Sequence, residues 1–180
     1  MRHAVADELF HEIADGATRE SPLWAEALLP EPERRAEPVF SALVPDQRFA
    51  VGVETIYEGY LLHYGRARIF APPDGDVTLL LGDALLAHGL VRIAETGSIA
   101  AVGDVAELLS LCAQARADGL DGDGPAWAAT SALLARGGLD EARSALRDGR
   151  DPAPLERLAR EAAGDAAVDR ALAAHVARLV

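Results

Sequence analysis

The sequence predicts an all-α fold, a single-domain bundle of about eight to ten helices. Hydrophobic residues make up 50% of the 180 residues and aromatic residues only 5%, while alanine, leucine and arginine, all good helix formers, dominate. Apolar residues recur at helical spacing in one segment after another, and glycine or proline separates the segments. A chain of this length can bury a sizeable core without disulfide bonds or a structural metal.

The N-terminal part of the chain predicts short helices and one proline-rich connection. The first helix is expected to end at Gly16, which would act as a glycine cap. Ser21 and Pro22 are the expected N-cap and first residue of a second helix. The three prolines between Pro30 and Pro38 exclude a helix interior, so this segment is expected to be an extended surface connection.

Three long apolar helices are predicted in the middle of the chain. They run from Phe49 to Gly65, from Val77 to Glu95 and from Ser98 to Ala117. The leucines of the second extend more than halfway around its helical wheel, which predicts a largely enclosed helix. With the segments before them, these helices form a predicted helical core over residues 1–117.

The C-terminal part is set off by the segment DGLDGDGP. Three glycines in residues 118–125 predict a flexible linker. Beyond it, residues 126–180 predict four short amphipathic helices that wrap an outer face of the central pair. We still expect residues 1–180 to form one domain.

Charge and cysteine content limit the classes of function. The formal net charge is −12 at pH 7, and no arginine cluster could replace the counterions of a phosphate backbone, so no nucleic-acid partner is expected. The one cysteine, Cys112, lies in an apolar run and is expected to be a buried core thiol. No uninterrupted apolar run approaches about 18 residues, which predicts a cytoplasmic protein without a transmembrane segment.

Polar residues gather around the stretch YEGYLLHYGRARIF, residues 57–70. Glu54 and Glu58 are four residues apart and share a helix face, where they either help to hold Mg²⁺ against a phosphate or lie at a solvated edge. His63 has no second histidine at ligand spacing, which favours a hydrogen bond to a tyrosine or backbone carbonyl over a metal site. The tyrosines, including Tyr60, are expected to pack their rings in the core and hydrogen-bond their hydroxyls.

Two arginines and an aspartate complete the set of candidate residues. Arg66 and Arg68 follow a helix end, where they either offset the helix dipole or bind a diphosphate. Asp83 stands in an apolar helix and is expected to be paired, with an arginine from the preceding helix end as the natural partner. Gly82 beside it predicts a close contact between helices.

The order of these features resembles the middle of the trans-prenyl diphosphate synthases, which are all-α bundles. A helix with acids, the segment RAR, a loop and the run LLLGDALLAHGLVRIAETGSIAAVGDVAELLSL carry the resemblance, over roughly residues 54–111. The segment VETIYEGY takes the place of the family's first DDxxD motif, and the second motif is absent. The resemblance therefore implies a prenyl-synthase-like core and a non-catalytic chain similar to the small component of heterodimeric long-chain synthases.

Three functions stay open at this point. The first is a non-catalytic accessory or regulatory subunit without a cofactor, which forms homo- or hetero-oligomers through apolar helices or lines a groove for an isoprenoid ligand. The second is a small Mg²⁺-dependent enzyme or binding protein for an isoprenoid diphosphate. The third is an unrelated helical interaction domain. The candidate ligand-binding residues are Glu54, Glu58, Tyr60, His63, Arg66, Arg68 and Asp83.

Overall fold

The computed structural model describes residues 2–179, with side chains from Asp7 onward, and Met1 and Val180 lie outside it. In that range the chain forms nine α-helices and three short 3-10 helices, and no β-strand occurs among the residues described. The predicted all-α class is therefore confirmed. The α-helices are α1 Arg2–Glu20, α2 Pro22–Glu26, α3 Ala50–Tyr64, α4 Gly75–Glu95, α5 Ile99–Ala117, α6 Asp123–Ala132, α7 Asp140–Gly149, α8 Ala153–Ala163 and α9 Asp165–Val176.

Side-chain caps fix the starts of three helices. Ser21 accepts a hydrogen bond from the first turn of α2, and Pro22 is its first residue, as predicted. Asp74 caps α4 and Ser98 caps α5 in the same way, each through an oxygen that accepts from a backbone N–H of the first turn. These caps satisfy donors that have no partner within the helix, so the helices begin where the sequence offers an acceptor.

The predicted end of the first helix at Gly16 is wrong, because α1 continues to Glu20. Gly16 instead lies where α1 meets α4. A Cβ atom at this position would lie 3.2 Å from Nη2 of Arg92. The glycine therefore serves a close contact between helices, and the helix ends only where Ser21 starts the next one.

The helices α3 and α4 approach each other closely because glycines meet at their interface. A Cβ atom at Gly59 would lie 2.8 Å from the carbonyl oxygen of Gly82, and one at Gly89 would lie 2.8 Å from that of Gly52. On each helix the two glycines are seven residues apart, so both contacts fall on one face. The predicted close helix contact at Gly82 is confirmed.

One continuous hydrophobic core extends from Leu9 in α1 to Ala171 in α9. Helix α6 is part of its centre, since nine of its ten residues are buried. It begins at Asp123, inside the predicted linker 118–125. The expectation that residues 126–180 only wrap an outer face is therefore wrong. Its small alanines let α6 enter among the large side chains, with Trp127 at 1% exposure.

Helix α4 is not enclosed as its leucine content predicts. Its buried face, which includes Leu81, Leu85 and Ile93, packs in the core, but Leu79 and Leu80 are 54% and 57% exposed. By length and composition alone, α4 is the one helix among the described residues that could cross a membrane. Core helices of soluble proteins meet the same two criteria, and α4 contributes a whole face to this core.

Candidate functional site

Glu54 and Glu58 lie inside the protein, one helical turn apart on α3, and Arg68 joins them. All three residues are fully buried. Nε of Arg68 donates to Oε2 of Glu58 at 2.8 Å, and Nη1 donates to Oε2 of Glu54. Nη2 donates to the backbone carbonyl of Glu54 at 3.1 Å. We call this arrangement the Glu–Arg–Glu cluster.

The remaining carboxylate oxygens of the Glu–Arg–Glu cluster are also occupied. Oε1 of Glu54 accepts from the backbone N–H groups of Val39 and Ser41, both at 2.8 Å. Oε1 of Glu58 accepts from the backbone N–H groups of Arg68 and Ile69 at 2.7 and 2.8 Å. Each carboxylate oxygen thus already accepts from a donor of this chain. Neither predicted role, as a Mg²⁺ ligand or as a solvated edge, fits these two glutamates.

Arg68 is held as a permanent cation between two aromatic rings. Its guanidinium carbon lies 4.7 Å from the ring centre of Phe10 and 4.9 Å from that of Tyr57. Burial lowers the pKa of Arg68, but the charges and hydrogen bonds of Glu54 and Glu58 outweigh burial and raise it above its usual value. Because this guanidinium is fully buried, the predicted diphosphate contact of Arg68 is wrong.

Arg66 lies on the surface instead. Its Nη2 donates to the backbone carbonyl of Ala177 at 2.7 Å, and its backbone N–H donates to the carbonyl of Arg178 at 2.8 Å. Arg66 therefore fastens the segment after α3 to the end of α9. Neither the role at the helix dipole nor that at a diphosphate explains these contacts.

A second buried polar cluster surrounds the end of α9, and sequence reasoning missed most of it. The hydroxyl of Tyr57 lies 2.9 Å from Nδ1 of His175. The hydroxyl of Tyr60 donates a hydrogen bond to Oδ2 of Asp123. Nη2 of Arg116 donates to the same oxygen, and Nε of Arg116 donates to the Tyr60 hydroxyl at 3.2 Å. Nε2 of His175 lies 3.3 Å from the same Oδ2, out of line for a hydrogen bond. We call these five residues the His–Asp cluster.

The His–Asp cluster shifts the pKa of its aspartate and of its two tyrosines. Burial raises the pKa of Asp123, but His175 and the Tyr60 hydroxyl together lower it by more than burial raises it. The pKa of Asp123 therefore lies well below its usual value of 3.8. Burial raises the pKa of both Tyr57 and Tyr60 far above 10.0, so their hydroxyls stay protonated. The result is an ionised Asp123 that accepts hydrogen bonds from the neutral Tyr60 hydroxyl and from Arg116.

The same surroundings keep Cys112 protonated. Burial, and next the negative charge of Asp123, raise the pKa of the Cys112 thiol well above its usual value. Only the thiolate is a strong nucleophile. Cys112 is 1% exposed, and the expectation of a buried core thiol is confirmed.

Aromatic rings close around the His–Asp cluster. Phe40 stacks on Trp127 with 5.3 Å between ring centres. Tyr57 and Tyr60 meet Trp127 edge to face at 5.1 and 5.5 Å. The rings are packed and the hydroxyls are hydrogen-bonded, which confirms the expected use of these tyrosines as core side chains with polar tips.

His63 and Asp83 meet at the protein surface. Nε2 of His63 lies 3.1 Å from Oδ1 of Asp83, whose side chain is 71% exposed. The prediction of a buried Asp83 paired with an arginine is wrong, since it points away from the buried face of α4. His63 contacts a carboxylate and not the expected tyrosine hydroxyl or carbonyl, and its ring fits over Gly82, where a Cβ atom would lie 2.7 Å from Nε2.

The structure thus distributes the seven candidate residues over separate places. Glu54, Glu58 and Arg68 form one closed cluster, and Tyr60 belongs to the other. Arg66, His63 and Asp83 lie at the surface. No group of three or more His, Cys, Asp or Glu side chains that could hold a metal ion occurs in the described part of the chain.

The residues that sequence reasoning missed are Arg116, Asp123 and His175. Asp123 stands in a glycine-rich segment that resembles a linker, and His175 is 52 positions further along the chain. The one available signal is that Asp123 comes directly before an alanine-rich apolar segment, where an acid suits the first turn of a helix. Comparisons with protein-family models, with curated proteins and with solved structures found no match to this chain.

Proposed function

We propose that this protein is a non-catalytic helical accessory subunit that acts by binding another protein. The observation that supports this most is how its buried polar residues are used. Glu54, Glu58 and Arg68 satisfy one another and the nearby backbone, which leaves neither of these two carboxylates free to hold a metal-bound substrate. A buried polar network that is satisfied in this way rigidifies a fold.

The surface that we propose for the partner is the outer face of α4, made up of Leu79, Leu80, Ala87, Val91 and Ala94. All five are exposed, and Leu79, Leu80 and Val91 each leave more than half of their surface in solvent. A row of exposed apolar side chains on one helix is typical of a surface that binds another protein. The buried face of the same helix is already used in the core.

The resemblance to prenyl diphosphate synthases supplies the class of partner. We propose that the chain keeps a prenyl-synthase-like architecture and pairs, in the cytoplasm, with a catalytic subunit of a long-chain polyprenyl diphosphate synthase. The isoprenoid substrate of such a complex would be bound by the catalytic subunit. The two buried glutamates give no support to an independent Mg²⁺–diphosphate site on this chain.

Co-purification with such a catalytic subunit tests the proposal. We expect size-exclusion chromatography with light scattering to show a complex heavier than either protein. The variant Leu80→Gln/Val91→Gln should lose the complex, whereas Leu23→Gln/Val176→Gln, which changes exposed apolar residues elsewhere, should keep it. A strict monomer that forms no complex at tens of micromolar would contradict the proposal.

A thermal-shift measurement tests the enzymatic alternative. We expect Mg²⁺ with farnesyl diphosphate to leave the Tm of the isolated protein unchanged, because ligand binding to the native state must stabilise it. A rise in Tm that Arg66→Ala or Asp83→Ala abolishes would support a diphosphate-binding protein instead.

A further inference from the structure

The basic residues of α4 are turned away from its outer face. Arg92 pairs with Glu12 of α1, and Nε2 of His88 lies 3.0 Å from Oε2 of Glu20, also in α1. These are the only basic residues of α4. Both are therefore committed to contacts within the protein.

The acidic residues of α4 lie on its exposed side. Asp76, Asp83 and Glu95 are all exposed. At about 100° per residue, Asp76 and Asp83 fall on the same side as Ala87 and Ala94, and Glu95 borders it. Asp83 has His63 as a neighbour, while Asp76 and Glu95 form no ion pair within the described part of the chain. The outer face is thus an apolar strip with an acid near each end and one in the middle, and it contains no cation.

We propose that the partner segment which binds this face is a basic amphipathic helix; this inference rests on the proposed function. Helix α4 has 21 residues and is therefore about 31 Å long, enough for a second helix to lie along it. The apolar residues of that helix would cover Leu80 and Val91. Its lysines or arginines would pair with Asp76 and Glu95, and such complementarity favours the correct partner and orientation.

Charge disfavours a second copy of this chain as the partner. A symmetric dimer brings the same patch of both copies together. A two-fold axis through the middle of α4 would bring the acidic residues of this face in both copies together, and neither basic residue of α4 lies on the face to pair with them. An anionic membrane surface is disfavoured for the same reason, because the acids of the face would be repelled.

Peptide titration tests the inference on the full chain. The probe is a fluorescein-labelled synthetic peptide of roughly five helical turns, made of leucine and lysine with leucine on one face. The comparison peptide has glutamate in place of lysine. We expect fluorescence anisotropy to show micromolar binding of the basic peptide and at least about tenfold weaker binding of the acidic one.

Matched variants show whether binding occurs at α4. We expect Leu80→Gln/Val91→Gln to weaken basic-peptide binding about tenfold or more, and Leu23→Gln/Val176→Gln to leave it unchanged. Asp76→Asn/Glu95→Gln should also weaken binding, whereas Asp121→Asn/Asp148→Asn, which changes the net charge equally at exposed positions elsewhere, should not. If either α4 double variant bound the basic peptide as tightly as its control variant, the binding would be diffuse attraction to an acidic protein. That result would overturn the inference.

Two further outcomes separate this inference from the proposed function. Sedimentation that shows self-association, abolished by Leu80→Gln/Val91→Gln, would overturn the basic-helix partner and keep the face as a protein-binding surface. Binding to vesicles of phosphatidylcholine and phosphatidylserine, stronger than binding to the basic peptide, would overturn both. The complex with the catalytic subunit could also be lost in Leu80→Gln/Val91→Gln but unchanged in Asp76→Asn/Glu95→Gln. That outcome would support the proposed function and overturn the basic-helix partner.

Discussion

The hydroxyl of Tyr57 lies 2.9 Å from Nδ1 of His175, which joins α3 to α9 across 118 positions of sequence. Both side chains are buried, at 0% and 1% exposure. The ring of Tyr57 also packs against the guanidinium of Arg68. Tyr57 therefore connects the Glu–Arg–Glu cluster to the His–Asp cluster, and through them the middle of the chain to its C-terminal helix.

A double-mutant cycle on Tyr57→Phe and His175→Ala measures this connection. We expect Tyr57→Phe to cost about 1–3 kcal/mol of unfolding free energy, because it leaves the imidazole without its buried partner. Both substitutions remove the same hydrogen bond, the one between Tyr57 and His175. The double variant should therefore be about 1 kcal/mol more stable than the sum of the two single effects predicts. Urea denaturation gives these values. His88→Ala, at a partly exposed histidine, is the control and should change little; strict additivity at Tyr57 and His175 would refute the coupling.

Removal of Arg68 should destabilise the protein strongly. Arg68→Met leaves two buried carboxylates without their cation, and breaking a buried ion pair in this way costs about 3–5 kcal/mol. The triple variant Arg68→Met/Glu54→Gln/Glu58→Gln should regain part of the loss, because the amides keep an acceptor for the backbone N–H groups and carry no charge. Chemical denaturation compares the three proteins.

The exposed pair of Arg48 with Asp46 supplies the control for Arg68. The side chain of Arg48 is 69% exposed, so Arg48→Met should leave the urea midpoint unchanged. If Arg68→Met were as mild as Arg48→Met, the Glu–Arg–Glu cluster would not stabilise the fold as its burial indicates.

Low pH should reduce the unfolding free energy of the protein, partly through Asp123. The pKa of Asp123 in the folded state lies below 3.8, its usual value in an unfolded chain. The stabilisation that results is fully present above about pH 4 and is lost as the pH falls towards the lower, folded-state pKa. We expect Asp123→Asn to be less stable at neutral pH but to lose stability less steeply below about pH 4. Urea midpoints across that range test this; parallel curves would contradict the role of Asp123.

Two glycine substitutions should have opposite effects on stability. In Gly89→Ala the new Cβ would lie 2.2 Å from Cγ1 of Ile56 and 2.8 Å from the carbonyl of Gly52. Forcing α3 and α4 apart should cost about 1–3 kcal/mol. Gly103 lies within α5 with nothing within 4 Å of an added Cβ, so Gly103→Ala should stabilise by about 0.5–1 kcal/mol. Thermal unfolding compares the two, and a tolerated Gly89→Ala would show that the interface can widen freely.

Sequence reasoning predicted the helices well where local chemistry decides. Ser21 caps a helix as expected, and α3 and α5 match the predicted segments within about two residues. Sequence reasoning failed where a contact with a residue distant in sequence decides the position of a side chain. Gly16 predicts a helix end, yet it lies against Arg92. Asp83 predicts a buried ion pair, yet its side chain faces solvent beside His63, because it lies on the side of α4 away from the buried Leu81 and Leu85.

The residues of the candidate site also show that sequence spacing does not identify the partners of a side chain. The spacing of Glu54 and Glu58 predicts a shared face and is right about it, but spacing cannot show whether that face meets solvent, metal or an arginine. Arg68 reaches both carboxylates only because the chain turns back after α3. Asp123 and His175 come together only because α6 and α9 pack against each other.

The sequence by itself determined the all-α class, the cap at Ser21, the acidic net charge and the buried state of the lone cysteine, since each follows from local preferences or composition. Only the tertiary structure decided that Glu54, Glu58 and Arg68 bind one another and that one face of α4 stays exposed. The physical reason is that burial and pairing depend on which surfaces meet, and residues far apart in sequence set those contacts.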